Sequence, residues 1–262
     1  MSAVLLDQEI VHYEVLGRGR PVILLHGMVG SWRYWVPAMQ AASIAYRAYA
    51  LDFWGFGDSA RVVQRYGVNG QVQLLDRFLE SMGIGRVVLI GHGLGAVTAL
   101  QFAAAHPEMV DRVLAVAMPL SSATLHPRLR TAPPAELADW LLNRLPQADP
   151  VRMDAVKADP QALTAAMQLM PAENFYSQWA PYNRACLLVH GQLDAAVIAP
   201  TLDQVIDLPE AVHSVTFEES GHFPMLDEPS KFNRLMIDFL TLPSGESPRQ
   251  LQLKDEWKRR VR

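Results

Sequence analysis

The run Gly91-His92-Gly93-Leu94-Gly95 lies where a strand-like stretch gives way to a helix-like one, and its middle residue has no side chain. Glycine cannot attack a carbonyl. The residues that could do chemistry fall in loops after apolar runs. His26 follows Pro21-Val22-Ile23-Leu24-Leu25, and Asp52 follows Tyr46-Arg47-Ala48-Tyr49-Ala50-Leu51. Asp194 comes shortly after Cys186-Leu187-Leu188-Val189, and His222 shortly after the run from Val212 to Phe217. A positioned imidazole can take a proton from water or a hydroxyl as a general base. Taken singly, His222 reads as a surface loop histidine, and Asp194 could be an ordinary turn residue. His12, His106, His126 and His213 belong to no constellation and read as solvated or packing residues.

The elements that must carry these residues alternate. Glu9 to Leu16 partly alternates and reads as an early strand. Pro21 to Leu25, Tyr46 to Leu51, Arg86 to Ile90 and Val113 to Met118 are short apolar runs, as expected of strands covered on both faces. Trp35 to Ala45, Gly70 to Met82 and Ala96 to Ala103 read as helices between them. Residues 121–181 break this rhythm, with no convincing strand. Leu137, Trp140, Leu141 and Leu145 fall at helical spacing. Asp149-Pro150 and Asp159-Pro160 read as helix starts, each with a capping residue ahead of a first-turn proline. The αβ rhythm then resumes: strand Cys186 to Val189, helix Pro200 to Asp207, strand Val212 to Phe217 and helix Pro229 to Leu240. The expected architecture is α/β, a mostly parallel sheet flanked by helices. Residues 1–120 and 182–243 form its core, 121–181 an inserted helical cap, and 244–262 a polar, basic C-terminal tail.

The length of 262 residues suits one large α/β domain or two small ones, and half the residues are hydrophobic. A net charge of −4 gives no basic footprint for nucleic acid. The single cysteine, Cys186, excludes an intramolecular disulfide and reads as a buried core thiol. No Cys-x-x-Cys or His-Glu-x-x-His spacing suggests a metal, and no cofactor is expected. The N-terminus lacks a basic region followed by an apolar one, and no apolar run is long enough to span a membrane. A cytoplasmic protein with a small-molecule ligand is the expectation. The basic end, Lys254 to Arg262, reads as a solvated helix end, with contact to an anionic membrane or a partner as the alternative.

From about residue 9 to 241 the sequence resembles the α/β-hydrolase family, in its serine-type esterase and lactonase-like branch. Gly91 to Gly95 is similar to that family's nucleophile elbow, Gly-x-Ser-x-Gly, with Gly93 at the serine position. The resemblance implies that Asp194 is the orienting acid and His222 the base. His26-Gly27 matches the His-Gly loop that supplies an oxyanion donor, the N–H of Met28, and the N–H of Leu94 would be the second. Asp52-Phe53-Trp54-Gly55-Phe56-Gly57-Asp58-Ser59 resembles the family's Asp-x-x-Gly-x-Gly-x-Ser loop. His26, Gly27, Trp140, Phe175 and Trp179 are candidates to touch substrate, although His26, Asp52 and His92 read first as loop supports. The cap residues could instead pack only their own core.

Gly93 departs from the pattern. It removes the means of forming an acyl-enzyme. It also argues against haloalkane dehalogenases and epoxide hydrolases, whose nucleophile is an aspartate. Ser59, Ser121 and Ser122 are the nearest hydroxyls, and none sits in an elbow. Three explanations stay open: an engineered or lineage-specific loss of the serine, a binding module that kept the pocket, and non-covalent catalysis with His222 as general base. The expected substrate is a small, largely apolar carboxylic ester or lactone.

Overall fold

Eight strands form one sheet in the computed structural model, which describes residues 2–142, 145, 148–168, 184–206 and 208–251. They are β1 (Ser2–Leu6), β2 (Glu9–Gly17), β3 (Arg20–Leu25), β4 (Tyr46–Leu51), β5 (Val87–His92), β6 (Val110–Val116), β7 (Cys186–Gly191) and β8 (Val212–Phe217). Their order across the sheet is β1-β2-β4-β3-β5-β6-β7-β8. β1 and β2 pair antiparallel, as do β2 and β4, and every later pairing is parallel. β5, β6 and β7 are buried along their whole length, because helices cover both faces.

The helices are α1 (Val36–Ala42), α2 (Val68–Ser81), α3 (Leu94–Ala105), α4 (Arg128–Thr131), α5 (Pro134–Leu141), α6 (Asp149–Ala155), α7 (Pro160–Gln168), α8 (Leu202–Ile206), α9 (Pro224–Asp227) and α10 (Pro229–Thr241). α2 and α10 are amphipathic, each with one buried stripe on the sheet. α3 is different: Leu94 to Leu100 are all buried, so it is a core helix with no solvent stripe. Gly95 lets it lie close on the sheet, since a Cβ there would collide with the Leu25 carbonyl oxygen.

Three details differ from the sequence reading, and a fourth agrees with it. Ser2–Leu6 adds an edge strand, paired so that the exposed Leu5 faces the exposed Ile10. The expected helix from Trp35 begins as a 3-10 turn, Trp32–Trp35, capped by the Ser31 hydroxyl, and α1 stops at Ala42. Asp149 does not cap α6; Ala148 holds that position without a side-chain bond, and Asp149 lies inside the first turn. Asp159 does cap α7, accepting the Gln161 N–H at 2.9 Å.

Between β6 and β7 the described residues form α4 to α7 and add no strand to the main sheet; an isolated bridge joins Leu125 to Val197. Residues 169–183, with Met170, Phe175, Tyr176 and Trp179, lie outside the described residues, as do Asp207 and residues 252–262. The start of the C-terminal tail is not free: Arg249 Nη2 donates to the Leu208 carbonyl at 2.7 Å, and Leu251 is partly buried. Among the described residues, no helix is long and apolar enough to cross a membrane.

Candidate functional site

The turn at Gly93 joins the central strand β5 directly to α3. Its backbone sits at φ 52, ψ −112, a region that suits glycine and strains any residue with a Cβ. The Gly93 N–H donates to the Val116 carbonyl at 2.9 Å, and its own carbonyl accepts from Ala96 and Val97 at 3.1 Å each. Leu94 opens the helix, so its N–H has no partner within it and faces outward at the positive end of the helix dipole. Space is no obstacle to a side chain here: a Cβ on residue 93 would meet its nearest neighbour, Gly27 Cα, at 3.7 Å.

Asp194 and His222 come together from the loops after β7 and β8. His222 Nδ1 lies 2.8 Å from Asp194 Oδ2. The other carboxylate oxygen accepts the backbone N–H of Ala196 at 2.7 Å and of Val197 at 3.1 Å. Burial pushes the Asp194 carboxyl up, but His222 and these two N–H groups outweigh it and hold it below its ordinary value. A carboxylate at Nδ1 fixes the tautomer in which Nε2 is the free acceptor. The loops are themselves tied: Leu193 N–H donates to the Ser220 carbonyl at 2.9 Å, and Gly221 N–H to Asp227 Oδ2 at 2.8 Å.

The loop after β3 is held by two rings. His26 Nδ1 donates to its neighbour's carbonyl, Gly27 O, at 2.6 Å, while Nε2 accepts the Phe53 N–H at 3.0 Å. Both ring nitrogens are spent on backbone, and burial lowers the His26 pKa, so the ring stays neutral. A trans peptide carries its C=O and N–H in opposite directions. The bond to Gly27 O therefore turns the Met28 N–H away from the His26 ring. On the other side, the Gly27 N–H donates to Tyr34 Oη at 2.6 Å, and Tyr34 Oη lies 2.9 Å from His92 Nδ1. His92 Nε2 lies 2.9 Å from the His222 carbonyl oxygen, which can only accept. Nε2 must then carry the proton, and Nδ1 accepts from Tyr34. Burial and the nearby His222 hold the His92 pKa well below its ordinary value. One neutral chain thus ties the loop after β3, the turn at 92–93 and the loop of His222.

These groups meet at a cavity. Gly93, Leu94, Met28 and His222 line its sheet side. Leu125, Leu129 and Leu141, from the segment between β6 and β7, line the opposite side. The space open to the centre of a water molecule is ≈ 20 Å³, which is room for about one water. His222 is 9% exposed, so its ring edge is nearly dry.

Other residues singled out from sequence lie elsewhere. His26 and Gly27 are buried behind the cavity wall, His26 with both nitrogens occupied, so His26 is a support and not a lining residue. Trp140 is also outside the lining; its ring packs at a tilt against His126, with the ring centres 4.9 Å apart. Phe175 and Trp179 lie outside the described residues. Asp52 is a hub: its carboxylate accepts the N–H groups of Trp32 and Asp58 and lies 2.9 Å from His12 Nδ1. His12 is therefore paired and buried, not solvated. Ser59 donates to the Asp52 carbonyl at 2.7 Å and accepts from the His12 N–H, so its hydroxyl is occupied. Ser121 and Ser122 do not line the cavity. Burial drives the Cys186 thiol up to about 12, which leaves it unreactive. Sequence reading missed Tyr34, Asp154 and the strained Ala117 (φ 47), which also lines the cavity. Tyr34 stands eight residues after His26 with nothing local to mark it.

Comparison with known proteins agrees with the fold. The alpha/beta hydrolase family model matches residues 22–235. The 2-hydroxy-6-oxo-6-phenylhexa-2,4-dienoate hydrolase of Comamonas testosteroni is 26% identical over 269 residues, covering 90% of this chain and 92% of its own. The 2-hydroxy-6-oxo-6-(2'-aminophenyl)hexa-2,4-dienoic acid hydrolase of Metapseudomonas resinovorans is 25% identical over 254 residues, 87% of each chain. Among solved structures, the enol-lactonase from Burkholderia xenovorans LB400 superposes with a TM-score of 0.78 at 21% identity, covering 92% of this chain and 100% of that one. That likeness concerns the fold alone.

Proposed function

The chain belongs to the alpha/beta hydrolase family, and from that premise we propose that it hydrolyses a small, largely apolar carboxylic ester or lactone without a covalent intermediate. The observation that carries this is His222, tied through Nδ1 to buried Asp194 and lining the cavity beside Gly93, where residue 93 presents no side chain. Gly93 stands where relatives of the serine type carry their nucleophile. Water takes that role. His222 Nε2 accepts a proton from the water as its oxygen bonds to the carbonyl carbon. The carbonyl π pair moves onto oxygen, which the N–H groups of Met28 and Leu94 stabilise. The intermediate then collapses: the bond to the leaving oxygen breaks, and His222 returns its proton to that oxygen. An acid and an alcohol, or one hydroxy acid from a lactone, leave. Asp194 holds the imidazolium between these two transfers.

The insertion at residues 121–181 acts as a cap in this reading, supported by the leucines it contributes to the cavity. Their apolar character favours an uncharged, compact acyl group.

The missing side chain at 93 favours a second reading, a module that binds a small ligand and does not turn it over. One experiment separates the two. The chain and His222→Ala are compared on a panel of aryl esters and lactones. Turnover that disappears in His222→Ala supports the enzyme; equal rates sink every catalytic role for His222 and leave the binding module.

A further inference from the structure

Asp154 is a carboxylate almost shut off from water, 2% exposed, on a helix of the insertion. Most of its bonds nevertheless go to the loop that follows β3. Its Oδ2 accepts the Ser31 hydroxyl at 2.6 Å and Arg33 Nε at 2.8 Å. Its Oδ1 lies 3.2 Å from Lys157 Nζ, and the same ammonium reaches Asp58 Oδ1 at 3.0 Å. Ser31 Oγ also accepts the Arg33 N–H at 3.2 Å, so that hydroxyl has one orientation. Val151, three residues earlier on α6 and on the same face, packs on the loop as well: a Cβ on Gly30 would lie 3.1 Å from Val151 Cγ1. Burial raises the Asp154 carboxyl, but the bonds from Ser31, Arg33 and Lys157 outweigh it and keep it ionised. A buried charge is costly unless paired and hydrogen-bonded, so this contact fixes both sides. Asp154 does not line the cavity.

The stretch from His26 to Ser31 is thus pinned at both ends. The His26 ring holds the Gly27–Met28 peptide, and Asp154 holds Ser31 three residues on. Resting on the hydrolysis reading above, we propose that Asp154 is a positioning residue, through which the insertion fixes Ser31 and aims the Met28 N–H at the substrate carbonyl. A site of this kind loses up to about 10²-fold for a displacement near 1 Å.

The test uses the full chain, with Asp154→Asn and Ser31→Ala as separate variants and exposed Asp139→Asn as a charge control. Each is assayed on 4-nitrophenyl acetate and on the matching thionoester, whose sulfur gains less from N–H donors than oxygen does. The expected result for both variants is a fall in kcat of about 10- to 100-fold at little-changed KM. The preference for the oxygen ester should fall with it, while Asp139→Asn matches the parent. An unchanged kcat, or a lower kcat with the oxygen-to-sulfur preference intact, overturns the proposal. If Asp154→Asn does not fold, Ser31→Ala carries the same decision. If the parent turns over neither ester, the hydrolysis reading has failed on its own, and amide hydrogen exchange decides the coupling. Exchange at residues 28–31 should then quicken by about tenfold or more in Asp154→Asn, with β5 to β7 unchanged. Unaltered exchange in the loop overturns the coupling too.

Discussion

Among the described residues two histidine–aspartate pairs have nearly the same length, and the cavity beside Gly93 is lined by the histidine of one of them. His222 and Asp194 stand 2.8 Å apart, and His12 and Asp52 stand 2.9 Å apart. Both carboxylates are buried and both accept backbone N–H groups. The second ring nitrogen makes the difference. In His222 it belongs to a ring that lines the cavity beside Gly93. In His12, Nε2 is buried without a hydrogen bond, with Glu14 Oε1 3.5 Å away. A histidine held by a carboxylate is therefore not in itself a base for catalysis. It becomes one where its other nitrogen meets space that a substrate or water can enter.

The largest way to sharpen this contrast is to supply the missing hydroxyl. Gly93→Ser should place an Oγ between the turn and His222 and permit an acyl-enzyme. Turnover of a small aryl ester should rise on the order of 10⁴-fold or more, with a burst of product before steady state. A fluorophosphonate should label the new serine. Adding His222→Ala to Gly93→Ser should remove the gain, whereas adding His12→Ala should not. Failure of Gly93→Ser to label or to turn over any ester would mean that the site has left hydrolysis.

In the parent chain, His222→Ala should lower hydrolysis by about 10²- to 10⁴-fold, and His12→Ala should leave kcat per folded molecule close to the parent's. If the two losses match, the distinction drawn between the pairs is wrong. Stability separates the sites in the opposite sense. At φ 52 a serine is strained, so Gly93→Ser should cost about 1–3 kcal/mol. Calorimetry should find its melting temperature lower by about 2–4 °C for each kcal/mol. A melting temperature equal to the parent's would mean that a bond to His222 offsets the strain.

The smallest effect is one of pH. Burial lowers the His12 pKa, but Asp52, Asp58 and Glu14 outweigh it and leave it raised above 6.5. The stability from this pair is fully present below the ordinary histidine value and is lost as pH rises through the folded one. His26, His92 and His190 are shifted the other way by burial. Their contribution is present above 6.5 and is lost as pH falls, because the unfolded chain takes up the protons first. His12→Gln removes the one opposing contribution. Its melting temperature should therefore drop more steeply than the parent's between pH 8 and pH 5.5. A shallower drop would mean that His12 is neutral when folded.

Much of this arrangement is legible in the sequence because it is local. Val22 to Leu25 and Val87 to Ile90 are continuously apolar since helices cover both their faces, and the run itself reveals the strand. Gly93, Asp194 and His222 follow strands at spacings that a family pattern captures. His12 is not legible in this way, because its partner lies 40 residues on in a loop and its own strand only partly alternates. Tyr34 and Asp154 are further from reach. Tyr34 matters through a hydrogen bond to a residue 58 positions away, and Asp154 through one to a residue 123 positions away. Neither distance leaves a trace in composition or period. The Asp149 helix start failed for a smaller reason: the chain enters α6 through Ala148, and the aspartate falls one position too late to cap.

Cys186 has a practical consequence. It is the chain's only cysteine, fully enclosed in β7, and burial holds its thiol near 12. Maleimides and other thiol reagents need an accessible thiolate, so the native chain should gain no mass from them at neutral pH. Any cysteine placed on the surface becomes the single reactive thiol without further engineering. Met153, 67% exposed on α6, and Ile44, 89% exposed beside α1, are positions on the insertion and on the sheet side where a probe would not disturb the core. A dye pair carried on those two positions would report the distance between α6 and the end of α1, one molecule at a time.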